Sequence, residues 1–335
     1  MEGSSNGVTR REALGVLGTS ALGLTLIGTT VFADEGRSER LSQLLPKFTA
    51  QSRSILARLL DDPAYSGRIQ ANAVAELAKN ENIAVEKLML ELLPLAQSYS
   101  SAPISNFYVG AIVRGASGDL YTGANIEIPG QCLGFAVHAE QSACSNAYMH
   151  EEQAITALAV GGAPCGHCRQ FINEMSPDGE ILILTPDKPP AKLSSLLPAA
   201  FGPSALGMKH GALPVPYTNL SPGGYSGGPE IFHALQAARR SYAPYSSSPS
   251  GVAIRTMKGR FYRGSYIENV AFNPSLSPLE TALAALIAGG DDYSSISAVG
   301  LVEAQGAKIS QWPVTEIVLK AIAPSAKFFY SVASY

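Results

Sequence analysis

His138-Ala139-Glu140 and, further along, Pro164-Cys165-Gly166-His167-Cys168 place one imidazole, two thiols and a carboxylate at a spacing suited to a metal that does proton chemistry. Zinc favours tetrahedral nitrogen and sulfur ligands, and a catalytic zinc keeps one vertex for water. His138, Cys165 and Cys168 supply three ligands and leave the fourth position free. Two thiolates cancel the charge of the ion, and the metal brings the pKa of that water toward neutrality. Glu140, two residues after His138 at a helix start, can stand beside the metal and carry protons. The run from His138 to Tyr148 is apolar and helix-compatible, and Arg169 to Met175 reads as a second helix behind Pro164. Proline favours a helix start, and the positive end of the dipole favours a thiolate there. Ala154–Val160 and Ile181–Thr185 read as buried strands. A C-x-x-C pair alone also suits a redox couple or a structural zinc site. A redox couple has no need of the upstream His-x-Glu. A structural site needs a fourth protein ligand, and His167 is poorly placed on the short loop between the cysteines. Cys132 and Cys144 read as small core residues.

H-x-E followed by P-C-x-x-C is the signature of zinc deaminases acting on cytosine or adenine, free or within nucleic acid. The upstream segment Ser105-Asn106-Phe107-Tyr108-Val109-Gly110-Ala111, then Gly123-Ala124-Asn125-Ile126-Glu127, narrows this. The chain resembles the cytidine deaminases of the two-domain, homodimeric bacterial and plant type. The similarity runs from about Leu41 to the C-terminus and is strongest between Pro103 and Phe171. The resemblance implies that Asn125 and Glu127 hold the ribose hydroxyls and that Phe107 packs on the base. Strand alternation would put Asn125 and Glu127 on one face. Leu197-Pro198-Ala199-Ala200-Phe201-Gly202-Pro203 matches a family segment whose phenylalanine reaches the partner subunit's site, which gives Phe201 a role in trans. Ala199 stands where the family commonly has Asp, and no carboxylate contact is expected from it.

The chain also resembles itself. Gly118-Asp119-Leu120-Tyr121-Thr122-Gly123-Ala124-Asn125-Ile126-Glu127 aligns with Gly259-Arg260-Phe261-Tyr262-Arg263-Gly264-Ser265-Tyr266-Ile267-Glu268, and Gly110–Arg114 with Gly251–Arg255. Continuing the alignment carries Glu140 onto Glu280 and His138 onto Pro278. Tyr266 replaces Asn125 and Ser248 replaces Phe107, and all four cysteines precede residue 169. The second copy keeps the scaffold without the zinc ligands. The resemblance implies that it walls the active site.

The expected fold is α/β, a cytidine-deaminase-like three-layer α/β/α arrangement in two tandem copies after an N-terminal helical segment. Residues 41–98 read as helices, 99–185 as the catalytic domain, 186–230 as a Pro/Gly-rich linker and 231–335 as the degenerate copy. Residues 1–33 carry Arg10-Arg11, a mildly apolar run and Val31-Phe32-Ala33, resembling a twin-arginine export signal with Ala13 in place of the usual phenylalanine. That leader points to the periplasm, whereas the family is ordinarily cytosolic.

The chain has 335 residues, 46% of them hydrophobic, enough for two sizeable cores. Charged residues are only 15% and the net charge is −3. Without clustered Lys and Arg, strong nonspecific nucleic-acid binding is not expected. Nor is a stable membrane partner. The resemblance implies hydrolytic removal of the 4-amino group of cytidine or deoxycytidine, with one zinc per chain, in a homodimer. The alternatives are a nucleic-acid-editing deaminase and a noncatalytic nucleoside-binding protein with a structural zinc.

Overall fold

A computed structural model describes residues 29–176, 178, 180–223 and 228–335. The expected leader falls largely outside these residues. Among the described residues, no helix is long and apolar enough to cross a membrane.

Five helices lead the chain: α1 (Thr29–Leu44), α2 (Ala50–Asp61), α3 (Ala71–Glu81), α4 (Val85–Glu91) and α5 (Leu93–Gln97). A short strand, β1 (Arg68–Ile69), interrupts them. Thr49 caps α2, its hydroxyl accepting from the Ser52 N–H, and Asn82 ends α3 in the left-handed region. The leucine-rich run Leu88–Leu95 is read correctly as helical. Leu88, Leu92 and Leu95 are buried.

The first copy follows as β2 (Gly110–Gly115), β3 (Leu120–Ala124), α6 (Ala139–Met149), β4 (Ile155–Val160), α7 (Gly166–Met175), β5 (Leu182–Leu184) and β6 (Ala191–Lys192). Its sheet has the order β1-β3-β2-β4-β5-β6. Only β4 and β5 pair in parallel, joined by α7 as the crossover. The sheet takes one strand from the helical segment before residue 99 and one from beyond residue 185. A four-residue helix, α8 (Leu193–Leu196), and β7 (Ser221–Pro222) lie in the stretch expected as linker.

The second copy comprises α9 (Pro229–Ala238), β8 (Ser250–Thr256), β9 (Phe261–Ser265), α10 (Pro278–Ala288), β10 (Ile296–Ala304), α11 (Trp312–Ile322) and β11 (Lys327–Ser334). Its sheet has the order β7-β11-β10-β8-β9, with β10 and β11 parallel. Four strands of each sheet, β3-β2-β4-β5 and β9-β8-β10-β11, therefore run in the same order. α6 and α10 pack against each other, so each copy covers the inner helix of the other.

Glycines set the close helix–sheet approach in both copies. A Cβ on Gly123 would lie 2.0 Å from the Ala143 backbone nitrogen, and one on Gly264 would lie 2.3 Å from that of Ala282. Gly110 meets α5 and Gly251 meets α9 in the same way, with Cβ positions 2.4 Å from the Gln97 nitrogen and 2.2 Å from that of Ala238.

One part of the repeat alignment is corrected. Val137 bridges to Ile126 and Leu276 to Ile267, so the loop between them is two residues shorter in the second copy. His138 caps α6 and Ser277 caps α10. The partner of His138 is thus Ser277, not Pro278. Glu280 matches Gln141, not Glu140. Both are the third helical residue and accept from the backbone N–H of their own cap, Gln141 at 3.2 Å and Glu280 at 2.8 Å. Leu279, fully buried, takes the place of Glu140.

Candidate active site

α6 and α7 start at the same end of the first sheet, and their caps carry the metal-binding side chains. His138, in extended conformation, closes the capping box of α6. Cys165 caps α7, its sulfur accepting from the Cys168 N–H at 3.4 Å. His138 Nδ1 lies 3.5 Å from Cys165 Sγ and 3.3 Å from Cys168 Sγ. The three donor atoms all lie within 4.8 Å of one another and could hold a metal ion. His167 sits outside this group, its ring centroid 5.8 Å from that of His138.

The electrostatics point the same way. Burial, joined by the nearby Glu140 carboxylate, pushes the Cys168 thiol far above its ordinary value. A buried sulfur facing a carboxylate resists ionisation until a cation arrives, and a coordinated thiol then loses its proton outright. Nitrogen and two sulfurs suit zinc. Glu140, on the first turn of α6, is buried and is not one of the three donors.

His138 and Cys165 open onto a cavity of about 610 Å³. Asn125, Glu127, Phe107, His138, Glu140 and Cys165 all line it. Asn125 and Glu127 flank buried Ile126, which makes single bridges to Ser101 and Val137 where the sequence suggested a continuous strand. Their side chains organise the lip. Asn125 Nδ2 donates to the Phe107 carbonyl at 2.8 Å, and its Oδ1 accepts from the Val109 N–H at 2.8 Å and from the Ser100 hydroxyl. Glu127 accepts from the N–H groups of Ile104 and Ser105, at 2.7 and 3.0 Å, and from the Ser105 hydroxyl. Against the cost of its partial burial, the Ser105 hydroxyl and these N–H groups hold Glu127 below the usual carboxylate range. Asn106 adopts a positive φ of 54°, which asparagine tolerates, and Phe107 next to it is 70% exposed. Phe201 is half exposed and does not line the cavity of its own chain.

Other lining residues escaped the sequence reading. Gln97 reaches across from α5, donating to the Tyr108 carbonyl at 2.7 Å. Gly161 and Gly162 follow β4, and a Cβ on either would project into open space. A Gly-Gly pair between a buried strand and Pro164 was the available signal for close ligand approach. Cys132 departs from expectation: it is exposed, because the loop before α6 crosses the surface, while Cys144 is buried as expected.

A family model described as the cytidine and deoxycytidylate deaminase zinc-binding region matches residues 83–184, and a second of the same description matches residues 193–316. The cytidine deaminase of Vibrio vulnificus strain YJ016 is 44% identical over 255 residues, covering 76% of this chain and 86% of that protein. This chain belongs to the cytidine deaminase family. Another cytidine deaminase, from Sodalis glossinidius, is 42% identical over 296 residues, covering 84% of this chain and 96% of the relative. Among solved structures, the cytidine deaminase of Mycobacterium tuberculosis aligns at 30% identity over 35% of this chain and 96% of its own, with a TM-score of 0.32. The two cytidine deaminase family matches fall on the two structural copies, one on each.

Proposed function

We propose that this cytidine deaminase family member catalyses the zinc-dependent hydrolysis of cytidine or deoxycytidine to the corresponding uridine and ammonia. The observation that carries it is buried Glu140 beside the His138/Cys165/Cys168 donor set in a cavity whose lip is organised by Asn125 and Glu127.

His138, Cys165 and Cys168 would hold zinc, which would supply a water made nucleophilic near neutral pH. Glu140 takes one proton from that water and passes it to N3 of the ring, then takes the second from the hydroxyl added at C4 and passes it to the 4-amino group, which leaves as ammonia. The donor count leaves room for a sugar. Asn125 uses one of its two amide hydrogens and Glu127 accepts three hydrogen bonds. One N–H and one acceptor direction remain for ribose hydroxyls. Phe107 offers its exposed face to the base.

Among the described residues, the lining includes Glu127 and Glu140 and no Lys or Arg. Two carboxylates with no lysine or arginine to offset them disfavour a phosphate, so the site suits a free nucleoside over a nucleotide or a nucleic-acid strand. In a homodimer, Phe201 completes the partner's base pocket, consistent with its exposure and its distance from its own cavity.

Incubation of the purified chain with cytidine, with and without a chelator, tests the reading by absorbance. Chelator-sensitive conversion to uridine is expected. Turnover that persists in metal-free protein, or none with full zinc, would overturn it.

A further inference from the structure

The helix that carries both cysteines is gripped at its far end by the copy that has lost its own chemistry. Glu174 lies six residues beyond Cys168 on α7, about 9 Å along the axis. It is fully buried. Among the described residues, no Lys, Arg or His is bonded to it. Its carboxylate accepts from the Tyr242 hydroxyl at 2.8 Å, the Tyr245 hydroxyl at 2.5 Å and the Val270 N–H at 2.9 Å, all from the second copy. One turn back on the same face, Gln170 exchanges two hydrogen bonds with buried Asn269. Its carbonyl accepts from Asn269 Nδ2 at 3.0 Å, and its Nε2 reaches Asn269 Oδ1 at 3.3 Å. The same Nε2 donates to the Phe201 carbonyl at 2.8 Å.

The origin of these partners is informative. Tyr242 makes the bridge to Ile267 that Ser101 makes to Ile126. The N–H groups of Tyr245 and Ser246 donate to Glu268 as those of Ile104 and Ser105 donate to Glu127. Tyr242 and Tyr245 thus occupy the loop that in the first copy forms the lip of the cavity. In the second copy that loop, carrying two tyrosines, closes on Glu174.

We propose that Glu174 is a positioning residue, which, through Tyr242, Tyr245 and Val270, fixes the orientation of α7 and so the two sulfurs at its start. It acts on zinc through the helix and touches neither substrate nor reacting atoms. The proposal rests on the zinc reading given above. Groups hydrogen-bonded directly to metal ligands change metal hold by roughly 10–100-fold when removed, and a grip that acts through six residues of helix is expected at the low end of that range.

The test is zinc release from the full-length holoenzyme into an excess of chromogenic chelator, with melting temperature recorded alongside. Glu174→Gln keeps the volume but sets an amide N–H₂ either against the Val270 N–H, which can only donate, or against the tyrosine hydroxyls, which must then turn from donors into acceptors. It should release zinc at least about tenfold faster. Tyr245→Phe, which leaves two of the three bonds, should fall between it and the parent, and it carries the test if Glu174→Gln does not fold. Tyr262→Phe is the control. It removes a buried hydroxyl bonded to Asp291 at 2.7 Å within the second copy, on neither of the two helices that carry the donors, and should release zinc at the parental rate. Parental release from both clamp variants overturns the proposal and leaves the zinc reading standing. Equally fast release from Tyr262→Phe shows general loosening and also overturns it. A parent chain that holds no zinc sinks both.

Discussion

Ser277 occupies in the second copy the position that His138 occupies in the first: each caps the inner helix of its domain, and the two helices pack against each other. A serine hydroxyl is the better cap, accepting from the Glu280 N–H at 3.2 Å. The catalytic copy gives up that hydroxyl for an imidazole that can face the two sulfurs.

Glu140→Gln should retain zinc and lose at least about a hundredfold in turnover, since the amide cannot shuttle protons. Elemental analysis and kcat check this together. Near-parental kcat with full zinc would remove Glu140 from its role.

Cys165→Ala should deplete zinc, leaving two of the three donors. A full metal complement after dialysis would show that the cation sits elsewhere.

Asn125→Ala should raise KM about tenfold through the lost sugar contact. It also frees the Val109 N–H and the Phe107 carbonyl, so a lower melting temperature should accompany it. Unchanged KM and kcat/KM would argue against a ribose contact.

Gly123→Ala and Gly264→Ala should each destabilise the fold by about 1–3 kcal/mol, because the added carbon collides with backbone. Chemical denaturation measures this. Equal tolerance of alanine at both positions would mean that the helices can slide outward.

Glu280 gives a pH signature. Burial, outweighing the two cap bonds from Ser277, pushes its carboxyl up to about 7 from 4.5. Between those values the native state holds a proton that the unfolded chain has released. This contribution to stability is full below about 4.5 and is lost as pH rises through about 7. Glu280→Gln should flatten the stability profile over that window. An unchanged slope in denaturation curves from pH 4.5 to 7.5 would contradict the elevated value.

Much of the site was legible because its chemistry demands particular residue types at short spacing. His138, Glu140, Cys165 and Cys168 lie at two helix starts, and strand–helix periodicity predicted both. Asn125, Glu127 and Phe107 reached the same cavity through the resemblance. The misreadings have physical causes. Both copies keep an acidic residue early in the inner helix, and without the bridge register Glu280 passes for a catalytic remnant. A loop shortened by two residues shifts the frame, and only backbone pairing shows it. Cys132 reads as core because a free cysteine is commonly a small buried residue, yet it and Leu133 beside it are exposed. Gln97 and the Glu174 grip were invisible, because each depends on contacts between segments distant in the chain.

The packing of α6 on α10 also explains why a domain without a reactive centre persists. Nearly every side chain of α6 is enclosed, Ala147 and Tyr148 among them. Deleting everything after residue 185 would bare that surface to water and invite clumping before any substrate was met. The second copy can therefore do without ligands of its own while its inner helix still shelters the first.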